Sequence, residues 1–239
     1  MIKFFRHIRK RLLKENRFTR YTLYALGEII LVVIGILIAL QVNDWNEQRK
    51  LKSEEIELLR EMRSALTSDL EDIRSNIDEH ESALRSCRLI SNAFNEGLPY
   101  HDSLKFYFGD ALNTTRFGHS SGPYETLKTK GADLVTNDSL RLKLSEYYDR
   151  SVAYQFDLQE LSLEGFASAK ERQFELFKGF NIYKGLEPVD YNALRQNQYY
   201  ISWLDYTANT RWWEAKKFRE LKDKAEHLLR LLDDELNRN

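Results

Sequence analysis

The sequence predicts an all-α protein: an N-terminal transmembrane helix that continues into an elongated antiparallel helical bundle, coiled-coil-like and extracytoplasmic. Three observations predict it. Tyr21 to Val42 is apolar apart from Glu28 and Gln41, and is long enough to span a bilayer at about 1.5 Å per residue. From Ile36 to Glu96 there is neither Gly nor Pro. Beyond Asn43 the apolar residues recur at spacings of three and four, and no period-2 run is long enough for a sheet.

Residues 1–20 carry eight Lys or Arg against one acid, Glu15. Phe5, Ile8 and Leu12 fall on one side of a helical projection, and Lys3, Arg6, Lys10, Lys14 and Arg17 on the other. This pattern suits a cytoplasmic helix in the headgroup region, its basic face toward anionic lipid. A disordered positive tail that only sets topology reads the same charges. In the span itself, 21–42, Tyr21, Tyr24 and Trp45 stand where interfacial aromatic rings belong. Eight basic residues before it against three after it (Arg49, Lys50 and Lys52) put the N-terminus in the cytoplasm. A cleaved signal peptide is the alternative, but no small-x-small site follows the apolar run.

Glu28 is the exceptional residue of the span, since a carboxylate in hydrocarbon must be protonated, paired or close to the headgroups. Glu28, Gly35 and Ala39 share one face at 100° per residue, and Gly35 and Ala39 form a small-xxx-small pair. That face is expected to be a helix–helix contact, and through it a homodimer is conceivable. In the alternative, Glu28 reaches the cytoplasmic interface and does nothing specific.

Residues 43–239 form the third segment, an extracytoplasmic helical domain. The chain beyond residue 20 holds 28 basic and 36 acidic residues, an excess that argues against nucleic-acid binding. A lone cysteine, Cys87, rules out internal disulfides and a cysteine-based zinc site, and suits a buried thiol on a helix seam. The first seam runs Leu59, Met62, Leu66, Leu70, Ile73, Ile77, His80, Leu84, Cys87, Ser91 and Phe94. His80 is read there as a solvated or hydrogen-bonded edge histidine rather than a ligand. Gly97 and Pro99 end the helix. Asp102 or Ser103 caps a short helix through Leu112, residues 113–122 are a loop, and Pro123 opens a second short helix that Gly131 ends. Asn137 or Asp138 caps a long helix with Leu140, Leu144, Tyr147, Tyr154, Leu158, Leu161 and Gly165 on its seam. After a Gly- and Pro-containing connection, Asp190 caps the last helix. Its seam holds Ile201, Leu204, Ala208, Ala215, Phe218, Leu221, Ala225, Leu228 and Leu232.

Chemical motifs are weak. Gly118-His-Ser-Ser-Gly122 matches G-x-S-x-G, but a nucleophile elbow needs a strand before the serine, and these surroundings are helical. No metal motif, phosphate loop or cofactor signature is present, so no cofactor, metal or catalytic residue is expected. The acid pairs Glu54–Glu55 and Asp233–Asp234 read as solvated. Trp203, Trp212 and Trp213 lie among Tyr199, Tyr200 and Tyr206 and are candidate recognition residues, with core packing as the competing reading. Tyr124 and Lys128 on the second short helix are a further candidate recognition point.

The blocks Met1-Ile-Lys-Phe-Phe-Arg6 and Leu26 through Asn46, with Tyr124 to Gly131 and Asn137 to Tyr148, resemble a bacterial family of single-pass membrane proteins of unknown function. The resemblance implies that Glu28 belongs to the pattern and that the whole chain is covered. Lys130 departs from it, standing where a small residue is expected. It brings no activity and no catalytic residue. The functional expectation is a non-catalytic interaction or scaffold module on the outer face of the bacterial inner membrane, with anionic lipid and an unidentified protein as partners. A ligand-binding sensor ectodomain is the alternative; it needs a separate output partner, because only about twenty residues precede the span. A hydrolase using Ser120 comes last.

Overall fold

The computed structural model describes residues 18–238 and is all-α, apart from one two-residue hairpin. Lys3, Arg6, Lys10, Lys14 and Arg17 lie outside the described residues. Helix α1 (Phe18–Asn95) is followed by α2 (Leu104–Ala111), α3 (Gly122–Lys130), a 3-10 turn (Ala132–Leu134) and α4 (Asp138–Ser145). A π-helical segment (Glu146–Val152) leads into α5 (Ala153–Gln173). Strands β1 (Phe177–Lys178) and β2 (Glu187–Pro188) pair antiparallel, and α6 (Tyr191–Leu194) and α7 (Gln198–Arg238) complete the chain. The fold divides into two compact units at Glu54/Glu55.

In the first unit the helix runs through a stretch rich in Ile and Val, with Gly27 and Gly35, that no Pro interrupts. Every large apolar side chain from Leu23 to Val42 is exposed. By length and composition this is one helix able to cross a membrane.

In the second unit the apolar residues of α1 form a stripe. Leu59, Met62, Leu66, Leu70, Ile73, Ile77, Leu84 and Cys87 are all buried. Toward the end the stripe drifts to Ile90 and Ala93, leaving Ser91 and Phe94 half-buried. Helix α7 packs against it antiparallel: Arg63 meets Asp233, Arg74 meets Glu226, and Glu81 meets Arg219. As one number climbs the other falls, whereas short connections would return the second long helix along α1 and leave the first and last parallel. Instead Thr136 meets Glu55 and Asn137 meets Glu235, so residues 96–137 carry the chain back before α4 runs in the direction of α1. The charged rim pairs are exposed and contribute little; the direction comes from the apolar seam beneath them. One core cluster joins Leu59 through Ile77 to Leu140, Leu144, Tyr147 and the Phe218–Leu232 face of α7. A second joins Cys87 and Ile90 to Phe108, Phe177, Tyr200 and Leu204.

Three boundaries differ from expectation. Asn137 caps α4 as foreseen, accepting from the Leu140 N–H at 3.2 Å. The helix that follows is interrupted by the π-helical turn, which rotates the buried face. Val152, Gln155, Phe166 and Gln173 are buried, whereas Tyr154 and Leu161, placed on the seam by unbroken periodicity, are exposed. Asp190 caps only the four-residue α6; α7 starts separately, with Asn197 accepting from the Tyr200 N–H at 3.1 Å. Ser103 precedes α2 but makes no side-chain cap. The hairpin loop packs so closely on α2 that a Cβ on Gly109 would lie 2.4 Å from the Ile182 carbonyl oxygen. Gly109 is therefore required by contact, not by its backbone angles.

Candidate functional site

Polar residues on the apolar seams build the most unusual environment of the second unit. On α7, Leu204 and Ala215 are both buried, but between them the buried positions are Thr207, Arg211 and Glu214. Arg211 is only 1% exposed. Its Nη1 lies 3.1 Å from Glu214 Oε2 and its Nη2 donates to the Asn113 carbonyl at 2.5 Å. The guanidinium sits 4.1 Å from the centre of the Phe166 ring. His80, from α1, places Nδ1 3.1 Å from the same Glu214 oxygen and stacks on Phe218. With Nδ1 protonated, His80 donates to Glu214, and its 3.3 Å approach to Arg211 Nη1 brings two donors together over one acceptor. Burial opposes ionisation of Glu214. The hydrogen bond and charge of His80, then the charge of Arg211 and a hydrogen bond from Ser162, outweigh it and hold the carboxyl below the usual range. Burial lowers Arg211 from its ordinary value, with Glu214 working in the other direction.

His80 is thus hydrogen-bonded, as expected, but it is buried rather than at a solvated edge. The cavity beside this triad is about 10 Å³, lined by His80, Gln155, Ser162, Arg211 and Glu214 among others. That is room for about one water and for no substrate. What the arrangement can do is join α1, α5, α7 and residue 113 through one charge-neutralised centre.

Residues 113–121 dock onto the bundle through a second set of polar groups, of which Asp69 is buried and Asp72 and Gln159 are half-buried. A loop without a ladder must satisfy its N–H groups elsewhere. Asp72 accepts from the Gly118 N–H at 2.9 Å, Gln159 from the Phe117 N–H at 2.7 Å, and Asp69 from the Ser120 N–H at 2.9 Å. Asp69 also lies 2.9 Å from His119 Nδ1 and is 1% exposed. An acid, a histidine and a serine are therefore neighbours here, which the motif alone did not reveal. The bond from Ser120 to Asp69 comes from the backbone, so the carboxylate positions the chain at Ser120 and the ring at His119.

The candidate recognition residues separate. Tyr124 is buried: its ring stacks on Tyr148 at 4.4 Å and its hydroxyl donates to Asp149 at 2.5 Å. Burial, then the Asp149 hydrogen bond, pushes the Tyr124 phenol up to about 12. It is a packing residue rather than an offered surface. Lys128 remains exposed, paired with Glu125 at 2.7 Å and 5.3 Å from the Tyr124 ring centre. Trp203 is core, stacked on Tyr200. Trp213 is half-buried, and Trp212 is 50% exposed. On α1, Glu28, Gly35 and Ala39 are exposed, and a Cβ on Gly35 would meet no atom within 4 Å. Glu55, expected to be solvated, is fully buried and accepts from both the N–H and the hydroxyl of Thr136. Two hydrogen bonds across the turn before α4 make its burial tolerable. Asp233 meets Arg63 at 2.5 Å.

These features define an all-α protein with a long helix that carries an apolar, uncovered N-terminal stretch and a bundle organised around buried ionic contacts. The chain belongs to a family of unknown function, DUF6090, whose profile matches residues 28–181. The match begins at Glu28 and includes the Tyr124–Gly131 and Asn137–Tyr148 blocks, but stops short of α7 instead of covering the whole chain. No match was found among curated proteins or among solved structures.

Proposed function

We propose that this protein is a single-pass, membrane-anchored interaction module without catalytic activity, held in the bacterial inner membrane with residues 43–239 in the periplasm. One observation carries the reading: the apolar side chains from Leu23 to Val42 are uncovered on every side of α1. Leaving a large apolar side chain in water costs about 1.5–3 kcal/mol relative to burying it, and this helix presents more than a dozen. Lipid removes that cost all round, whereas one protein groove covers one face. The basic residues before the span favour a cytoplasmic N-terminus in contact with anionic headgroups. The face of Glu28, Gly35 and Ala39 offers close approach to a second copy, and an unidentified protein partner would meet the outer domain.

A protease added to intact spheroplasts tests the arrangement. The outer domain should be digested while an N-terminal tag survives. Full protection of residues 43–239, or a mature chain that starts after Leu40, would overturn it. For the homodimer, disulfide yield from cysteines at positions 28 and 35 should exceed that from positions 30 and 37.

The second reading, a sensor ectodomain working through a separate partner, is favoured by two surface grooves of about 720 and 710 Å³ on the bundle. Such volumes are typical of small-molecule sites. Hydrolysis through Ser120 ranks third. Loss of a measured hydrolase activity in Ser120→Ala would promote it.

A further inference from the structure

Beyond residue 20 the chain is acidic, yet one groove of the bundle is lined by cations. It is the larger groove, about 720 Å³, between the α4–π-helical–α5 segment and α7. Lys143, Arg150, Lys217 and Lys224 line it against two carboxylates, Glu146 and Glu220. Both carboxylates are occupied. Lys143 meets Glu146 at 2.6 Å and Lys217 meets Glu220 at 2.8 Å, and each lysine's hydrogen bond holds its partner's carboxyl below the usual range. Among the described residues, Arg150 and Lys224 have no carboxylate within ion-pair distance, so the surplus charge of the groove rests on them.

The π-helical turn places Arg150, and α7 places Lys224 across from it. The turn's extra residue carries Tyr147, Tyr148 and Val152 into the core and leaves Arg150 outward. Within the turn Ser151 Oγ donates to the Glu146 carbonyl at 3.1 Å, and Ser151 Oγ in turn accepts from Lys224 Nζ at 3.0 Å. Lys224 is thereby tied to the wall opposite its own helix. The remaining lining is mixed: Tyr147, Leu221, Leu228 and Gln155 are buried, Tyr154 is half exposed and His227 is exposed. Concave shape and a few fixed polar groups that converge on one place are features of small-molecule sites. π-Helical turns are also frequent at functional positions.

We propose that this groove binds a soluble organic anion. Its phosphate, sulfonate or carboxylate group meets Arg150 and Lys224, and its flat apolar body lies against the half-exposed ring of Tyr154. The assignment deepens the sensor reading but stands on the groove alone, so its failure leaves the membrane anchoring untouched.

The probe is 8-hydroxypyrene-1,3,6-trisulfonate, which combines a flat ring system with anionic groups. Its fluorescence anisotropy is followed with the full chain in nonionic detergent. Saturable binding is expected, weakened at least tenfold in R150E/K224E and about threefold or more in the milder R150Q/K224Q. Binding should be unchanged in K128E, which reverses an exposed charge outside the groove. Thermal melts of the variants within a few degrees of the parent establish that they fold. Equal binding by parent and R150E/K224E, or equal loss in K128E, overturns the site. Displacement by inorganic triphosphate at the probe's own concentration would remove the apolar body from the proposal. Displacement by phosphatidylglycerol vesicles would reassign the anion to a lipid headgroup and overturn the soluble ligand.

Discussion

Residues 23–42 and residues 58–90 belong to one helix but solve opposite problems. The first stretch is apolar on all sides and buries none of it; the second is apolar on one stripe and buries nearly all of that stripe. Apart from Glu28 and Gln41, the first stretch has no apolar stripe set against a polar face, and it suits a medium that surrounds it. A stripe selects one face, and with it a partner: α7, the π-helical segment and α4. The difference teaches that the distribution of apolar residues around α1, not their number, decides what each stretch contacts.

The contrast can be broken most forcefully at the ionic centre. Glu214→Ala leaves Arg211 buried without its carboxylate and should destabilise the bundle by about 3–5 kcal/mol, measured by chemical denaturation. Glu28→Ala, on the apolar stretch, should leave that transition unmoved. The same residue sets a pH dependence. Its folded-state pKa lies below the ordinary value of 4.5, so its contribution is complete above that pH and disappears as pH falls through the folded value. A plot of melting temperature against pH should therefore drop less steeply below 4.5 in Glu214→Gln than in the parent.

Next in size are matched truncations. Leu66→Ala removes a fully buried side chain and should cost about 2–5 kcal/mol, while Leu37→Ala should leave the bundle's unfolding midpoint unchanged. A similar shift in both would show that residues 23–42 are packed against protein after all. The cap gives a smaller effect: Asn137→Ala loses the bond to the Leu140 N–H and the 2.7 Å donation to Glu235, and should cost about 1–3 kcal/mol. The least energetic test is chemical. Burial pushes the Cys87 thiol up to about 12, with Asp110 adding to the rise and Arg211 opposing it. Iodoacetamide at pH 8 should label Cys87 only after unfolding, whereas C87S/S53C, with its cysteine at an exposed position on the same helix, should react at once.

Much of the fold was legible because it depends on local chemistry. The Gly- and Pro-free run foretold a helix to about Phe94, one residue short of its end at Asn95, the stripe from Leu59 to Cys87 foretold its buried face, and Asn137 and Gly131 foretold their boundaries. The candidate site was legible only in fragments. His80 stood out on its seam, but Arg211 and Glu214 read as ordinary charges on a polar helix. Their burial follows from α1 and α5 closing over them, which no spacing within α7 announces. Asp69 carries no local signal either; its role comes from a loop fifty residues away.

By itself the sequence determined the helical class, the apolar span and the stripe along which the bundle closes. Each follows from the period of apolar residues and from where Gly, Pro and capping side chains interrupt it. Tertiary structure alone decided that α7 pairs antiparallel with α1, that Glu55 and Arg211 are buried, and that a π-helical turn rotates Tyr154 outward and sets Arg150 in the groove that Lys224 of α7 also lines. The physical reason is common to all three: desolvation and the meeting of charges depend on distances between segments remote in the chain, and a single added residue in a helix rephases every side chain after it.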